Sequence, residues 1–206
     1  MPLTDQERAE LESLTSGQVS DAMEALNLRR SVVTGFMMLA APGSKIVGPA
    51  VTLRQVPKSA DDDRGTRLTR HQELSRKIAQ KGDVVVVDNG GRLDTASWGE
   101  FHGYACKQNG VAGAIIDGAT RDGPAIRSSG FPTFVRGLTP VTSKWDLKTA
   151  SISEPVILGQ VEVKPGDIIF ADETGIVVIP AGKKELVLAK AIEIRAAEDG
   201  HRAELV

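Results

Sequence analysis

Residues 113–136 read GAIIDGATRDGPAIRSSGFPTFVR. Ala114-Ile115-Ile116 is a short apolar run, Asp117-Gly118 opens a polar passage ending on the adjacent opposite charges of Arg121-Asp122, and Phe131-Pro132-Thr133-Phe134-Val135 turns apolar again. That order predicts a buried strand, a polar connection at its carboxyl end, a short helical turn and a second buried strand. Arg121 and Asp122 then fall at the sheet edge where α/β proteins place ligand sites. An ion pair in a surface turn is the other reading of the dipeptide.

Upstream, Lys81-Gly82-Asp83 turns into Val84-Val85-Val86-Val87-Asp88, a continuous apolar run that suits a strand buried on both faces. Asn89-Gly90-Gly91 follows as a loop where backbone can approach a ligand closely. Ala96 to Asn109 reads as a helix stopped by Gly110, with Glu100 in its first turn and Phe101, Tyr104 and Ala105 on one face. This strand–loop–helix unit leads straight into the Ala114 strand, so the two strands are expected to be parallel, joined by a right-handed crossover. The glycine loop, Glu100 and Arg121-Asp122 would then share one end of the sheet.

Further out, Thr4 to Leu26 predicts two helices, with Thr4 as N-cap, a break at Ser16-Gly17 and Asn27 as C-cap. Residues 32–54 change to strand texture, and Pro57 to Arg70 is a polar tract holding Asp61-Asp62-Asp63 and four basic residues. Three consecutive acids cannot all face one ion on a regular element, so the tract reads as a solvated loop. Its arginines are a place where a second or third substrate carboxylate could be met. His71 to Ala79 reads as a short helix. After Val135 the pattern is β to Ile179, and Lys183 to Leu205 closes the chain as a helix offering Leu186, Val187, Ile192 and Ala196 to a core. Asp88 and Asp117 are expected to organise loops, Cys106 to lie in the core, Trp98 to wall a pocket or simply pack, and His71 and His102 to pack, face solvent or border the cleft.

The chain has 206 residues, 41% hydrophobic and 25% charged, with aromatics at only 4%. One α/β domain with an aliphatic core fits, and a net charge of -2 gives no general pull toward nucleic acid or anionic membrane. A single cysteine excludes an internal disulfide, and no window reaches the roughly 18 apolar residues of a membrane span. With a charged amino-terminal stretch, a soluble, cytoplasmic protein is expected.

Glu100, Arg121 and Asp122 carry the chemistry. The planar guanidinium fork of Arg matches a carboxylate in two parallel hydrogen bonds, and a single Asp with waters and substrate oxygens is a common way to hold Mg²⁺. Glu100, at a helix start, has the reach of a proton shuttle or a water-orienting group.

The segments VSDAMEAL, KIVGPAVTL, GDVVVVDNGG, Trp98-Gly99-Glu100, GVAGAIIDGATRDGPAIRSSGFPTFVRG, VKPGDIIFADETGIVVIP and the last helix resemble, in order, those of the RraA-like family. The resemblance includes its class II 4-hydroxy-4-methyl-2-oxoglutarate/4-carboxy-4-hydroxy-2-oxoadipate aldolases, which also decarboxylate oxaloacetate. It implies a layered α/β sandwich with a central parallel or mixed sheet and a closing carboxyl-terminal helix, assembled as a homotrimer or homohexamer. It implies Asp122 as ligand to Mg²⁺ or Mn²⁺, Arg121 on the pyruvyl carboxylate and enolate oxygen, and Glu100 in water-mediated proton transfer. Backbone amides from Gly99 to Phe101 would cradle the keto acid, and Glu198 would reach the metal's outer shell from a neighbouring subunit. Because the family includes ribonuclease-inhibiting regulators, a protein-binding role is the alternative. No Gly-rich S-adenosylmethionine fingerprint follows the first strand.

Overall fold

The computed structural model describes residues 3–29 and 31–205, so Met1, Pro2, Arg30 and Val206 of the expected 1–206 domain lie outside the described residues. Its centre is β4 (Val84–Trp98), whose four valines divide between two cores as a doubly covered strand requires. Val84 and Val86 pack on one face, Val85 and Val87 on the other. β3 (Ile46–Pro57) and β5 (Gly113–Thr120) flank β4, both parallel to it. β6 (Thr133–Leu138) pairs parallel with β5. The expected strand, connection, short helix and strand of residues 113–136 are therefore present, with α5 (Gly123–Ser129) as the helix.

On the far side of β3, β10 (Ile168–Asp172) and β11 (Gly175–Ile179) add antiparallel strands. β1 (Val32–Val33) and β2 (Met37–Leu39) close the two edges, giving the order β1-β11-β10-β3-β4-β5-β6-β2. β7 (Leu147–Ile152) pairs with the carboxyl-terminal half of β3, while β8 (Val156–Leu158) and β9 (Val161–Val163) form a separate hairpin. The hairpin covers one face of the sheet through Val156, Leu158 and Val163. The other face is covered by α3 (His71–Glu73), which runs into a π-helical turn (Leu74–Ile78), and by α4 (Glu100–Gln108) and α5.

A third core lies under α1 (Asp5–Glu12), α2 (Ser16–Ala25) and α6 (Lys184–Leu205). Thr4 caps α1 reciprocally with Glu7, as expected. The break between the helices falls before Ser16, because Thr15 forms a second capping box with Gln18. Asn27 takes the left-handed conformation one residue past the cap (φ 52), and the Leu28 N–H closes the turn onto the Met23 carbonyl at 2.9 Å. On α6, Val187, Leu188 and Ala191 are the buried contacts. Leu186 and Ala196, expected in that core, face solvent: they lie off the stripe that meets α2.

The largest departure from the sequence reading is the length of β4. The helix expected from Ala96 begins only at Glu100, since β4 continues to Trp98. Gly90 and Gly91 both adopt positive φ, and the pairing jumps from Asp88↔Asp117 to Arg92↔Gly118. The chain thus bulges over Gly118 and resumes its ladder, with Thr95, Ala96, Ser97 and Trp98 all buried.

Candidate active site

β5 is buried along its whole length and ends at Thr120, so the chain must emerge there. The Arg121 N–H donates to the Trp98 carbonyl at 3.2 Å, tying the end of β5 to the end of β4. Asp122 stands at the N-cap of α5 in the left-handed region (φ 60, ψ 31), yet its side chain makes no cap hydrogen bond. Asp is among the best N-cap residues because its carboxylate accepts from the first turn. This carboxylate turns instead toward β4: Oδ2 lies 3.3 Å from Arg121 Nε and accepts from the Glu100 N–H at 3.4 Å. A non-glycine residue held at positive φ with its cap unused is local strain of the kind that collects at functional sites.

Gly99 is what allows the approach. A Cβ there would stand 3.0 Å from Asp122 Oδ2 and 3.3 Å from Arg121 Cγ. Gly99 is also the N-cap of α4, with the Glu100, Phe101 and His102 amides following it.

These residues line a small cleft that is open to solvent. Gly99, Phe101, Arg121 and Asp122 border it together with Arg67, His71, Trp98, His102, Thr142 and Ser143. Thr142 and Ser143 arrive because the Ala96 N–H donates to the Val141 carbonyl at 2.9 Å, drawing the segment after β6 across the end of β4.

The two imidazoles pack with Trp98: His102 lies 5.0 Å from Trp98 and 5.1 Å from His71, centroid to centroid. Both are held neutral. Burial pushes His71 well below its ordinary value, assisted by His102 and Arg67. Burial also lowers His102, to about 4, with the positive fields of Arg67, Arg76 and Arg121 acting in the same direction. The buried Trp98 Nε1 has no hydrogen-bond partner among the described residues. Asp122 is the one carboxylate on the cleft wall among the described residues.

Of the residues expected at the site, Gly99, Phe101, Arg121 and Asp122 meet there. Glu100 joins through its backbone N–H; its carboxylate makes no ion pair or side-chain hydrogen bond among the described residues. Arg121 and Asp122 contact each other here, so the salt bridge and the two site residues are one arrangement. Glu198 lies on α6, its Oε2 accepting from Gln18 Nε2 of α2 at 2.7 Å. Asn89-Gly90-Gly91 does not border the cleft, because the bulge lifts it away before β4 resumes. Asp88 accepts from the Gly90 and Ile157 amides, and Asp117 from the Gly159 amide and the Arg136 guanidinium, so both do organise loops. Cys106 is fully buried, its thiol pushed up to about 12 by that burial. Thr142 and Ser143 had no signal in the sequence, since only the fold carries them to the end of β4.

A divalent cation fits this donor set. Mg²⁺ is commonly held by one or two carboxylates, with waters and substrate oxygens completing an octahedron. Asp122 offers one such carboxylate, freed from its cap. No group of three or more metal-ligating side chains occurs among the described residues, so a closed all-protein cage is not what this cleft provides.

Residues 16–178 match the family model RraA-like, described as Aldolase/RraA. A protein of Halalkalibacterium halodurans named "Putative 4-hydroxy-4-methyl-2-oxoglutarate aldolase" is 34% identical over 183 residues, 88% of this chain and 80% of that one. Protein DlpA of Legionella pneumophila is 32% identical over 190 residues; the match takes in 92% of this chain but only 30% of DlpA's length. Among solved structures, Streptomyces coelicolor RraAS2, described as an unusual member of the RNase ES inhibitor RraA protein family, superposes with a TM-score of 0.87. It is 30% identical, with 98% of both chains covered.

Proposed function

The chain belongs to the RraA-like family, and on that premise we propose that it is a carbon–carbon lyase. In this reading it is a class II pyruvate aldolase that cleaves a 4-hydroxy-2-oxo di- or tricarboxylic acid by retro-aldol reaction and also decarboxylates oxaloacetate. The observation that carries the reading is the Asp122 carboxylate, unused by its own helix and set beside Arg121 in a cleft whose other charged group is a second arginine, Arg67.

Asp122 would hold Mg²⁺ or Mn²⁺, and that ion when bound supplies a Lewis acid for negative charge developing on the 2-oxo oxygen. Arg121 takes the adjacent carboxylate with its fork and shares the enolate charge. The amides from Gly99 to Phe101 stand at the amino end of α4, where donors and helix dipole favour an anion. Cleavage breaks the C3–C4 bond, leaving the electron pair in the pyruvate enolate and taking the proton from the 4-hydroxyl. Glu100, acting through a water, accepts that proton and returns one to C3. In oxaloacetate decarboxylation CO₂ leaves instead, and only the second transfer is needed.

A coupled pyruvate-release assay over a panel of 4-hydroxy-2-oxo acids and oxaloacetate tests this directly. Metal-stripped protein is expected to be inactive and to recover with Mg²⁺ or Mn²⁺, whereas Asp122→Ala stays inactive in either. Full turnover in chelator would sink the metal assignment. The near-complete superposition on RraAS2 supports a second reading, a regulator that binds and inhibits a ribonuclease. Recovery of a ribonuclease in a pull-down, with no keto acid turned over, would favour it.

A further inference from the structure

The tract from Pro57 to Arg70 is built, where composition alone suggested a solvated loop. Lys58 is buried, and its Nζ donates to the backbone carbonyls of Asp63, Arg64 and Thr66 at 2.9, 3.3 and 2.6 Å. The acidic residues serve the same purpose. Asp62 accepts from the Ser59 amide at 2.7 Å and from Lys148 Nζ of β7 at 2.5 Å, while Asp63 accepts from the Gly65 amide at 2.8 Å. Beyond position 67, the Leu68 carbonyl accepts from the Thr149 amide at 3.1 Å and the Arg70 amide donates to Thr149 Oγ1 at 2.8 Å. Arg67 therefore sits between two pinned carbonyls, Thr66 on the buried lysine and Leu68 on β7.

So much anchoring around an exposed arginine calls for a reason, and its position supplies one. Arg67 borders the cleft and pairs with no carboxylate among the described residues. It enters beside β7, and β7, β3, β4 and β5 are successive neighbours in the sheet. Arg121 enters from the end of β5. With roughly 5 Å between neighbouring strands, the three steps from β7 to β5 set the two backbones about 15 Å apart, a gap that two extended arginine side chains reach into from either end. A single carboxylate satisfies one guanidinium; a dicarboxylate can reach both. With the imidazoles neutral, Arg67, Arg121 and Asp122 leave the wall one positive charge in excess before any divalent ion is counted, which suits a polyanion.

We infer that Arg67 is a specificity-determining clamp for the substrate's second carboxylate, remote from the 2-oxo end, so that the cleft selects dicarboxylic over monocarboxylic 2-oxo acids. This rests on the lyase reading, and its test separates the two. Titration calorimetry on the full chain with Mg²⁺ present, using pyruvate and 2-oxoglutarate as probes, compares the unaltered protein with Arg67→Ala and Arg67→Lys. Arg67→Ala is expected to weaken 2-oxoglutarate by about tenfold or more relative to pyruvate, the scale of a lost charge-assisted pair. Arg67→Lys restores part of the difference, since a point charge replaces a fork. In turnover of a dicarboxylic substrate, Arg67→Ala raises KM with little change in kcat. Equal weakening of both probes, or of neither, overturns the clamp and leaves the lyase site standing. If neither probe binds the unaltered protein, the keto-acid reading fails and the clamp with it.

Discussion

Gly99 carries more of the site than its missing side chain suggests. A methyl there would press on Asp122 Oδ2 at 3.0 Å and on Arg121 Cγ at 3.3 Å, so the pair must give way by a few tenths of an ångström. Gly99→Ala is therefore expected to lower kcat/KM by about tenfold, in keeping with the cost of small misplacements, while its unfolding midpoint stays close to that of the parent. An unchanged kcat/KM would mean that the Arg121–Asp122 geometry is not what the chemistry uses. His102 gives a second test at this scale. Its folded value of about 4 lies below the ordinary 6.5 because of burial and three arginines. Between those limits the unfolded chain binds a proton that the fold does not, so stability is fully present above pH 6.5 and declines as the pH falls toward 4. The decline due to His102 amounts to about 3 kcal/mol. Urea unfolding of metal-free protein at pH 7 and pH 4.5 should show His102→Gln losing less than the parent; an identical loss would assign the acid sensitivity elsewhere.

At the level of elements, β3 is the strand on which the molecule turns: Ile46–Pro49 pair with β10, and Ala50 onward pairs with β4 and β7. Its entry to β4 is tight at Gly48, where a Cβ would lie 2.1 Å from the Gly82 carbonyl oxygen. Both sides of that contact are backbone and cannot rotate away. Gly48→Ala is expected to cost about 3 kcal/mol, at the upper end of overpacking penalties, and to lower the thermal midpoint by several degrees. Gly17→Ala is the contrasting substitution, because its Cβ would meet Thr15 Oγ1 at an unstrained 3.7 Å within α2. It should gain up to about 1 kcal/mol from helix propensity. The same elements show why some of the fold was legible and some was not. The valine run, the Thr4 cap and the strand–helix–strand order of residues 113–136 are local signals that appear where the pattern places them, while the break before α2 and its C-cap are each displaced by a residue. The continuation of β4 to Trp98 is not local. Residues 92–98 have no strong alternation, and they are strand because β5 and the Val141 carbonyl offer their backbones partners. The positions of Arg121 and Asp122 were legible because they adjoin such elements, and the roles expected of them came from their residue chemistry and from the family resemblance, which alone pointed to Gly99. The arginines of the polar tract were offered by the sequence to a second or third carboxylate, but Arg67 was not singled out among them, since the collar around Lys58 that fixes it is a tertiary arrangement.

For the molecule as a whole, several large apolar side chains stand exposed, among them Phe101 on the cleft wall at 66%, Leu93 at 54% and Trp145 at 53%. Leu93 lies against Gly137 and Leu138 against Gly123, each leucine 3.0 Å from where a Cβ would be. Leu138 also borders a second depression, which shares Arg121 and Asp122 with the cleft. An apolar surface flanking the carboxylate suits a subunit boundary, and the homotrimer or homohexamer implied by the family resemblance would place one there. Light scattering is expected to give a mass three or six times that of the chain, and Leu138→Asp a smaller species with diminished activity; a monomeric parent would end this reading. Glu198 makes the boundary testable without disrupting it. In its own chain it holds Gln18, so a structural role and a role across the boundary are both open to it. Glu198→Ala and Asp122→Ala chains, each inactive or weak alone, should regain activity when dissociated and reassembled together. With random assortment in a closed ring, about a quarter of the sites would pair an intact Asp122 with an intact Glu198 from its neighbour. Recovery near that level assigns Glu198 to the adjacent site, whereas no recovery from demonstrably mixed oligomers confines it to its own chain.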